Sequence, residues 1–518
     1  MTVVVIGAGH NGLAAAFYLA RAGMKPIVLE QSATVGGGAI TGELHPGFKC
    51  PTLTHHASIH SDIASEMDLS KHGLEMLRPA VDVFIPGSDG ASAVIYADAD
   101  RTAAQLRASA TRDADAFLKY RAAMSAVGGV LEALLSVAPP DVDDPDPRDL
   151  WNLLTAGRRF RGLGKRDGYR LLRWAPMPVA DFATEWFESP LLRAAICGSG
   201  VSGTMLGPRS AGSTLVHLLR ETQRRIAGGR TQIRGGPGAL TRAMATAAAG
   251  AGADIRVGSR VDRIAVTNGT VTAVTINGRD IAADAVVSAV DPKTTYLKLL
   301  DPLDLAPDFL SKMGNFRAAG TVAKVNLALS ALPSFGATSA ELLSGTIHIG
   351  EDVDVIERAF DHAKYGELSE HPWLEVTIPS VLDPSLVPPG AHVMSIYVHY
   401  APFRLRGTDW DATKDAVLTR TLTVLERHAP GIRALVLAAQ VITPRELEST
   451  YCFSGGHIFH GELAIDQLFT MRPLLGYGGY RAPIRGLYLC GGGTHPGGFM
   501  SGTSGKLAVN ALLASMKR

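Results

Sequence analysis

Residues 3 to 6 are an unbroken apolar run, Val-Val-Val-Ile. A short run with no polar alternation predicts a strand buried on both faces, as in a parallel sheet. An alanine-rich stretch with helical spacing follows. A second apolar run, Pro26 to Leu29, then predicts another strand that ends at Glu30. Within residues 102–135, the segment AAQLRASATRDADAFLKYRAAM repeats its apolar positions every three or four residues and predicts helix. Ala138 to Arg148 is rich in proline and aspartate and reads as an exposed loop. More helices are expected to about Arg225. The pattern then turns to short alternating strands, with Asn268-Gly269 and Asn277-Gly278 as hairpin turns. This region closes in a buried strand, Ala285 to Val290. Strands dominate again from about Arg317 to Ala401, and a helix is expected over Asp411 to His428. The chain finishes with strand GLYLCG, a glycine-rich turn and a helix from about Ser504 to Met516. A nucleotide-type strand near one end and a strand–turn–helix near the other predict that the two ends share one domain, with the rest inserted. No solenoid repeat is visible.

The first strand runs directly into Gly7, Gly9 and Gly12. In G-x-G-x-x-G spacing, the first glycine makes the tight turn and the second admits a pyrophosphate. The third lets the helix approach the strand. The helix N-terminus offers free N–H groups to phosphates. Glu30, 18 residues beyond Gly12, is placed to accept from ribose hydroxyls. Its carboxylate disfavours a 2′-phosphate and so argues against NADP. Gly36, Gly37 and Gly38 follow Glu30. That E-x5-G-G run and the position at the front of the chain favour FAD over NAD.

Lys and Arg total 50 against 49 Asp and Glu, so no global field points to nucleic acid. Cys50, Cys197, Cys452 and Cys490 are far apart and form no C-x-x-C, so a dithiol redox centre is not supported. Reduced thiols in a cytoplasmic setting are expected. Neither a signal peptide nor an apolar run long enough to span a membrane is recognisable.

GAGHNGLAAAFYLARAG, GGPGALTRAMA, ADAVVSAVDP, GGHIFHGELAIDQLFTMRPL and YRAPIRGLYLCGGGTHPGGFMSGTSG together resemble the phytoene desaturase-like flavoproteins. The nearest resemblance is to the branch holding the pyridine nucleotide-disulfide oxidoreductase domain-containing protein 2 type and one class of bacterial carotenoid ketolases. The resemblance implies an α/β fold. It comprises a Rossmann-type, glutathione-reductase-like FAD-binding domain and an interleaved mixed α+β substrate domain. The expected division is 1–105, 226–315 and 470–518 for FAD, and 106–225 and 316–469 for substrate. It also implies cofactor contacts at the Val261 backbone, at Gly491 and Gly492 in the terminal turn, and at the helix that starts after Gly502. Many relatives carry an acid where this chain has Gly492.

A second G-x-G-x-x-G, in CGSGVSG (197–203), lacks a preceding strand and a following acid, and is expected to be a loop or turn in the substrate domain. His457, His460 and Glu462 lack further ligands at zinc spacing, so no metal is expected. Cavity lining or structural roles are favoured for the two histidines over acid–base catalysis. His495, in the terminal turn, is the first candidate for a residue near the chemistry. His55, His56 and His60 face either the active site or their own loop. The basic–aromatic segment from Trp151 to Trp174 fits either a membrane-surface patch or a solvated helix face.

The expected function is FAD-dependent removal of hydride from an extended hydrophobic substrate, isoprenoid or carotenoid-like, with quinone or oxygen as electron acceptor. The alternatives are ketolase-like oxygenation and a flavin-binding scaffold without turnover. The expected setting is cytoplasmic, with association at a membrane surface; a homo-oligomer is compatible with the sequence.

Overall fold

The computed structural model describes every residue except 109, 143, 144, 146, 337, 338, 517 and 518. Five parallel strands form one sheet in the order Leu487–Leu489, Ala285–Ser288, Val3–Ile6, Ile27–Leu29, Asp254–Arg256. Val3–Ile6 lies at the centre. Val3 and Val5 enter one core while Val4 and Ile6 enter the other, so no position of this strand is polar. The first core is closed by helices His10–Arg21, Pro237–Ala251 and Thr503–Ser515, through Leu13, Leu240 and Leu507 among others. The second is closed by a three-stranded antiparallel meander, Arg263–Thr267, Thr270–Ile276 and Arg279–Ala282. Both of its turns place Asn and Gly at positive φ (Asn268 50°, Gly269 70°; Asn277 50°, Gly278 73°), as a tight hairpin turn demands.

A second, seven-stranded sheet runs in the order Val436–Ile442, Val322–Leu329, His392–His399, Leu374–Thr377, Thr346–Ile349, Val81–Pro86, Ser92–Tyr96. Helices Thr111–Leu135, Val179–Trp186, Pro190–Val201 and Ser213–Ile226 pack over the end of it that carries Val83, Ile85 and Ile95. Helix Trp410–His428 packs on its other side through Val417 and Leu425.

Three expectations need correction. Val81–Tyr96 was expected in the FAD-binding unit but is part of the seven-stranded sheet. Val83 and Ile85 enter one core and Val81 and Phe84 the other, which requires cover on both faces. Residues 197–201 are not a loop but the end of helix Pro190–Val201. Gly198 lies so close to Trp373 that a Cβ there would be 2.4 Å from its ring. The loop expected over 138–148 falls partly on 143, 144 and 146, outside the described residues, and Pro147 already begins helix Pro147–Gly162.

Candidate functional site

One cavity of about 740 Å³ reaches from the first glycine turn to the seven-stranded sheet. Its nucleotide-type wall is built by the residues that the sequence singles out. Gly7 turns the chain at φ +94°, and its N–H donates to the Leu29 carbonyl at 2.8 Å. A Cβ on Gly12 would stand 2.0 Å from the Gly7 carbonyl oxygen, so only glycine lets the helix sit this close to the strand. Gly9 caps helix His10–Arg21, which has no side-chain cap and no acid in its first turn. Its leading N–H groups are therefore available to an anion. Glu30 is buried against the cavity, and its two oxygens accept from Ala8 N and Ser32 N, each at 2.8 Å. Gly37 and Gly38 line the same wall, and the buried Val261 lines the cavity two residues on from Ser259, whose N–H donates to the Glu30 carbonyl at 2.7 Å.

Gly492 lines the cavity, whereas Gly491 and Gly502 do not. Gly491 is pressed against the end of the neighbouring strand, where a Cβ would lie 2.5 Å from the Val290 carbonyl oxygen. Gly502 takes a left-handed φ of +74° to start the last helix and packs on Ile59 and Ile63. Phe499 and Met500, just before it, reach the cavity instead.

The histidines separate by position. His460 lines the cavity, and its Nδ1 is buried without a hydrogen-bond partner. His457 and His495 lie outside it. His457 Nδ1 accepts from Phe459 N at 3.1 Å, and burial pushes its pKa down to about 3. His495 Nε2 bonds the Leu134 carbonyl at 3.1 Å, and burial holds its pKa at about 4. The turn that carries His495 points its ring at the end of helix Thr111–Leu135, so its expected place beside the chemistry is not borne out by the geometry. His56 lines the cavity, His55 is buried behind it, and His60 caps helix Ser61–Glu66.

Several lining residues were missed from the sequence. His10, the first residue of the first helix, faces the cavity with Nε2 unpartnered; burial and His460 hold its pKa at about 4. Arg472 is fully buried and donates to six carbonyls: Glu462, Gln467, Phe459, Gly461, Gly492 and Thr494. Burial lowers its pKa to about 9. It thereby fixes the turn bearing His460 against the turn bearing Gly492. On the far wall stand Tyr120, His217, Arg220, Glu221, Arg224 and Arg230, facing His348 and Tyr397 of the sheet. One signal was readable: His217, Arg220, Glu221 and Arg224 form a polar stripe at helical spacing on a helix otherwise rich in buried apolar residues.

His55, His56 and Glu375 present ligand atoms within 4.8 Å of one another. Arg220 lies 3.6 Å from the same carboxylate and opposes a metal cation there. Burial by itself would raise the Glu375 carboxyl, but Arg220 and the two histidines outweigh burial and hold it well below the usual range.

Comparisons with known proteins agree with this geometry. Residues 5–66 match the NAD(P)-binding Rossmann-like domain, and residues 187–513 match the flavin containing amine oxidoreductase family. The chain belongs to the flavin-containing amine oxidoreductase family. It is 33% identical to pyridine nucleotide-disulfide oxidoreductase domain-containing protein 2 of Rattus norvegicus, covering 99% of this chain and 93% of the relative. It is 27% identical to a limonene dehydrogenase component of Castellaniella defragrans, covering 99% and 94%. It is 28% identical to a lycopene-forming phytoene desaturase of Pseudescherichia vulneris, covering 98% of each. The family member is thus an FAD-dependent oxidoreductase, and the expected cofactor and fold class hold. The residues present fit FAD. Gly7, Gly9, Gly12, Glu30, Gly37, Gly38 and Val261 would hold its nucleotide part, and the unpartnered His10 and His460 face the same cavity.

Proposed function

We propose that the protein removes hydride from an extended, largely apolar substrate, desaturating or oxidising it. FAD, when bound, supplies the hydride acceptor. The chain's own residues bind and orient the substrate and exclude water. The observation that carries this reading is the continuity of the cavity. The walls holding the glycine turn and Gly492 pass without interruption into Val83, Ile95, Phe117, Ile196, Phe459 and Phe499. An apolar chain lying there is held by shape and desolvation. Forming a double bond in it sends one hydrogen away as hydride to the flavin and the other as a proton, for which the His10 or His460 imidazole facing the cavity would be the acceptor. His10 and His460 stay neutral at pH 7 because burial disfavours their charged forms. The names of two relatives, a limonene dehydrogenase component and a phytoene desaturase, support an isoprenoid-like substrate. Quinone or oxygen is the proposed electron acceptor.

Among the described residues no helix is long and apolar enough to cross a membrane. We infer association with a membrane surface on the cytoplasmic side. Leu150, Trp151, Leu153, Leu154, Tyr169 and Leu172 are exposed beside Arg158, Arg159, Arg161, Lys165 and Arg166, which supports it.

Anaerobic bleaching of the bound flavin by phytoene or limonene in vesicles tests the reading. A product lighter by two hydrogens is expected. A product heavier by oxygen points to ketolase-like chemistry. A flavin that no isoprenoid, acyl or amine donor bleaches overturns the proposal.

A further inference from the structure

The wall between helix Ser213–Ile226 and the seven-stranded sheet is lined by Arg121, Arg220, Arg224 and Arg230. Three carboxylates answer them. Arg224 pairs with Asp82 and, at 2.6 Å, with Glu221. Glu221 also lies 3.7 Å from Arg121, and Glu375 lies 3.6 Å from Arg220. Arg230 bonds the Thr346 hydroxyl and has no carboxylate within ion-pair distance among the described residues.

The neighbouring histidines add no positive charge at pH 7. Burial holds His217 at about 4 and His348 at about 3, and lowers His56. Four guanidiniums therefore face three carboxylates, and Lys324, which burial holds at about 7 beside Tyr397 and near Glu375, adds to the positive side. Two donors of this set, Arg220 Nη1 and Arg230 Nε, are buried without a hydrogen-bond partner. Both residues line the cavity, and the Arg220 side chain keeps 18% of its surface open. Leaving guanidinium N–H groups unanswered in a desolvated wall is costly, and an anionic acceptor is the group that relieves it.

We propose that this wall is a carboxylate subsite and that the substrate is an amphipathic acid. Its carboxylate sits against Arg220 and Arg230 while its apolar chain lies along Phe117, Ile196 and Phe459. This rests on the dehydrogenase reading above and narrows its substrate class. The two unanswered donors, Arg220 Nη1 and Arg230 Nε, match the two oxygens of one carboxylate. Two oxygens suit two guanidiniums from different elements. An unsubstituted hydrocarbon would leave both donors unanswered.

Calorimetric titration of the FAD-loaded protein with octanoate, octan-1-ol and octyl phosphate tests the inference. Octanoate is expected to bind at least about tenfold tighter than octan-1-ol, the factor that corresponds to about 1.4 kcal/mol. Arg230→Met should erase that difference, and Arg230→Lys should restore part of it. Arg220→Met gives an independent variant, and FAD content and melting temperature show that each protein is folded. Equal binding of acid and alcohol overturns the subsite, as does octanoate affinity unchanged in both methionine variants. Octyl phosphate binding tenfold tighter than octanoate overturns the assignment to a carboxylate. If hydrocarbons bleach the flavin while octanoate fails to bind, the subsite falls and the dehydrogenase reading stands. If octanoate binds as expected while no donor bleaches the flavin, the dehydrogenase reading falls and the acid-binding wall stands.

Discussion

Glu30 Oε2 accepts from the Ala8 backbone N–H at 2.8 Å and ties the end of the second strand to the glycine turn after the first. Its other oxygen accepts from Ser32 N, so both are engaged. A glutamine keeps the shape but offers one acceptor and turns an amine toward the second N–H. A buried donor left without its acceptor costs roughly 1–3 kcal/mol. Glu30→Gln is therefore expected to weaken FAD binding by about tenfold or more. Titration of the apoprotein with FAD, followed by flavin fluorescence, measures it; unchanged affinity would refute the role.

Arg472 joins two turns through six carbonyls, five of them on buried residues. Arg472→Met should destabilise the protein by about 3 kcal/mol or more, since several buried acceptors lose a charged donor together. Arg472→Lys should recover only part, because a point charge with three donors cannot replace the planar fork. Urea unfolding of both variants, with the flavin-to-protein absorbance ratio, tests this. A methionine variant with full stability and full FAD content would contradict it.

Acid should destabilise the fold well before carboxylates protonate. Burial holds His10, His217 and His495 at about 4, and His348, His399 and His457 at about 3. In the unfolded chain these groups titrate near about 6.5. Between those values the unfolded state binds more protons, so stability falls as pH drops from about 6.5 toward 3. Glu221 adds loss below its ordinary range. Burial opposes ionisation, but Arg224, His217 and Arg121 outweigh it and hold the carboxyl at about 2. On the alkaline side, burial holds Lys324 at about 7, so stability should rise from neutrality to about pH 8.5. Above that, the buried thiols of Cys50, Cys197 and Cys490, which burial pushes up, oppose a further rise because they ionise only in the unfolded chain. Urea midpoints from about pH 4.5 to 9.5 report both slopes, and Lys324→Met should flatten the alkaline one. A midpoint that is level between about pH 6.5 and 4.5 would contradict the histidine account.

Trp151 is 61% exposed, Tyr169 72% and Leu172 62%, on two helices that also carry six exposed basic residues among those described. Sedimentation with vesicles of anionic lipid is expected, with binding that falls as salt rises. Trp151→Asp combined with Leu154→Asp should reduce the bound fraction several-fold and leave FAD content unchanged. Equal sedimentation of variant and parent would remove the membrane assignment.

The parts legible in the sequence are those specified by neighbours along the chain. Val3–Ile6, the two Asn-Gly turns and Leu487–Leu489 each carry their pattern within a few residues. Positions set by distant partners were not legible. The glycines of 197–203 suggested a loop, yet Gly198 serves a helix that must pass Trp373, which lies far along the chain. His495 sits in the expected turn, but the direction of its ring is set by Leu134. Arg220 and Arg230 acquire their meaning only where Glu375 and Thr346 of the sheet come alongside. The glycine turn thus predicts the cofactor wall, while the substrate wall is a product of tertiary assembly.

The order of strands in the parallel sheet has a consequence for biosynthesis. Val3–Ile6 emerges from the ribosome long before its neighbour Ala285–Ser288, which is bounded by Leu487–Leu489, and before Gly492, Phe499 and Met500, which complete the cavity. At roughly 5–20 residues per second, the first strand waits on the order of half a minute or more for the last part of its own binding wall. During that interval the glycine turn exists without the opposing wall that would retain a ligand. Cofactor capture is therefore expected only once residues 487–500 have emerged, not while the first glycine turn stands alone.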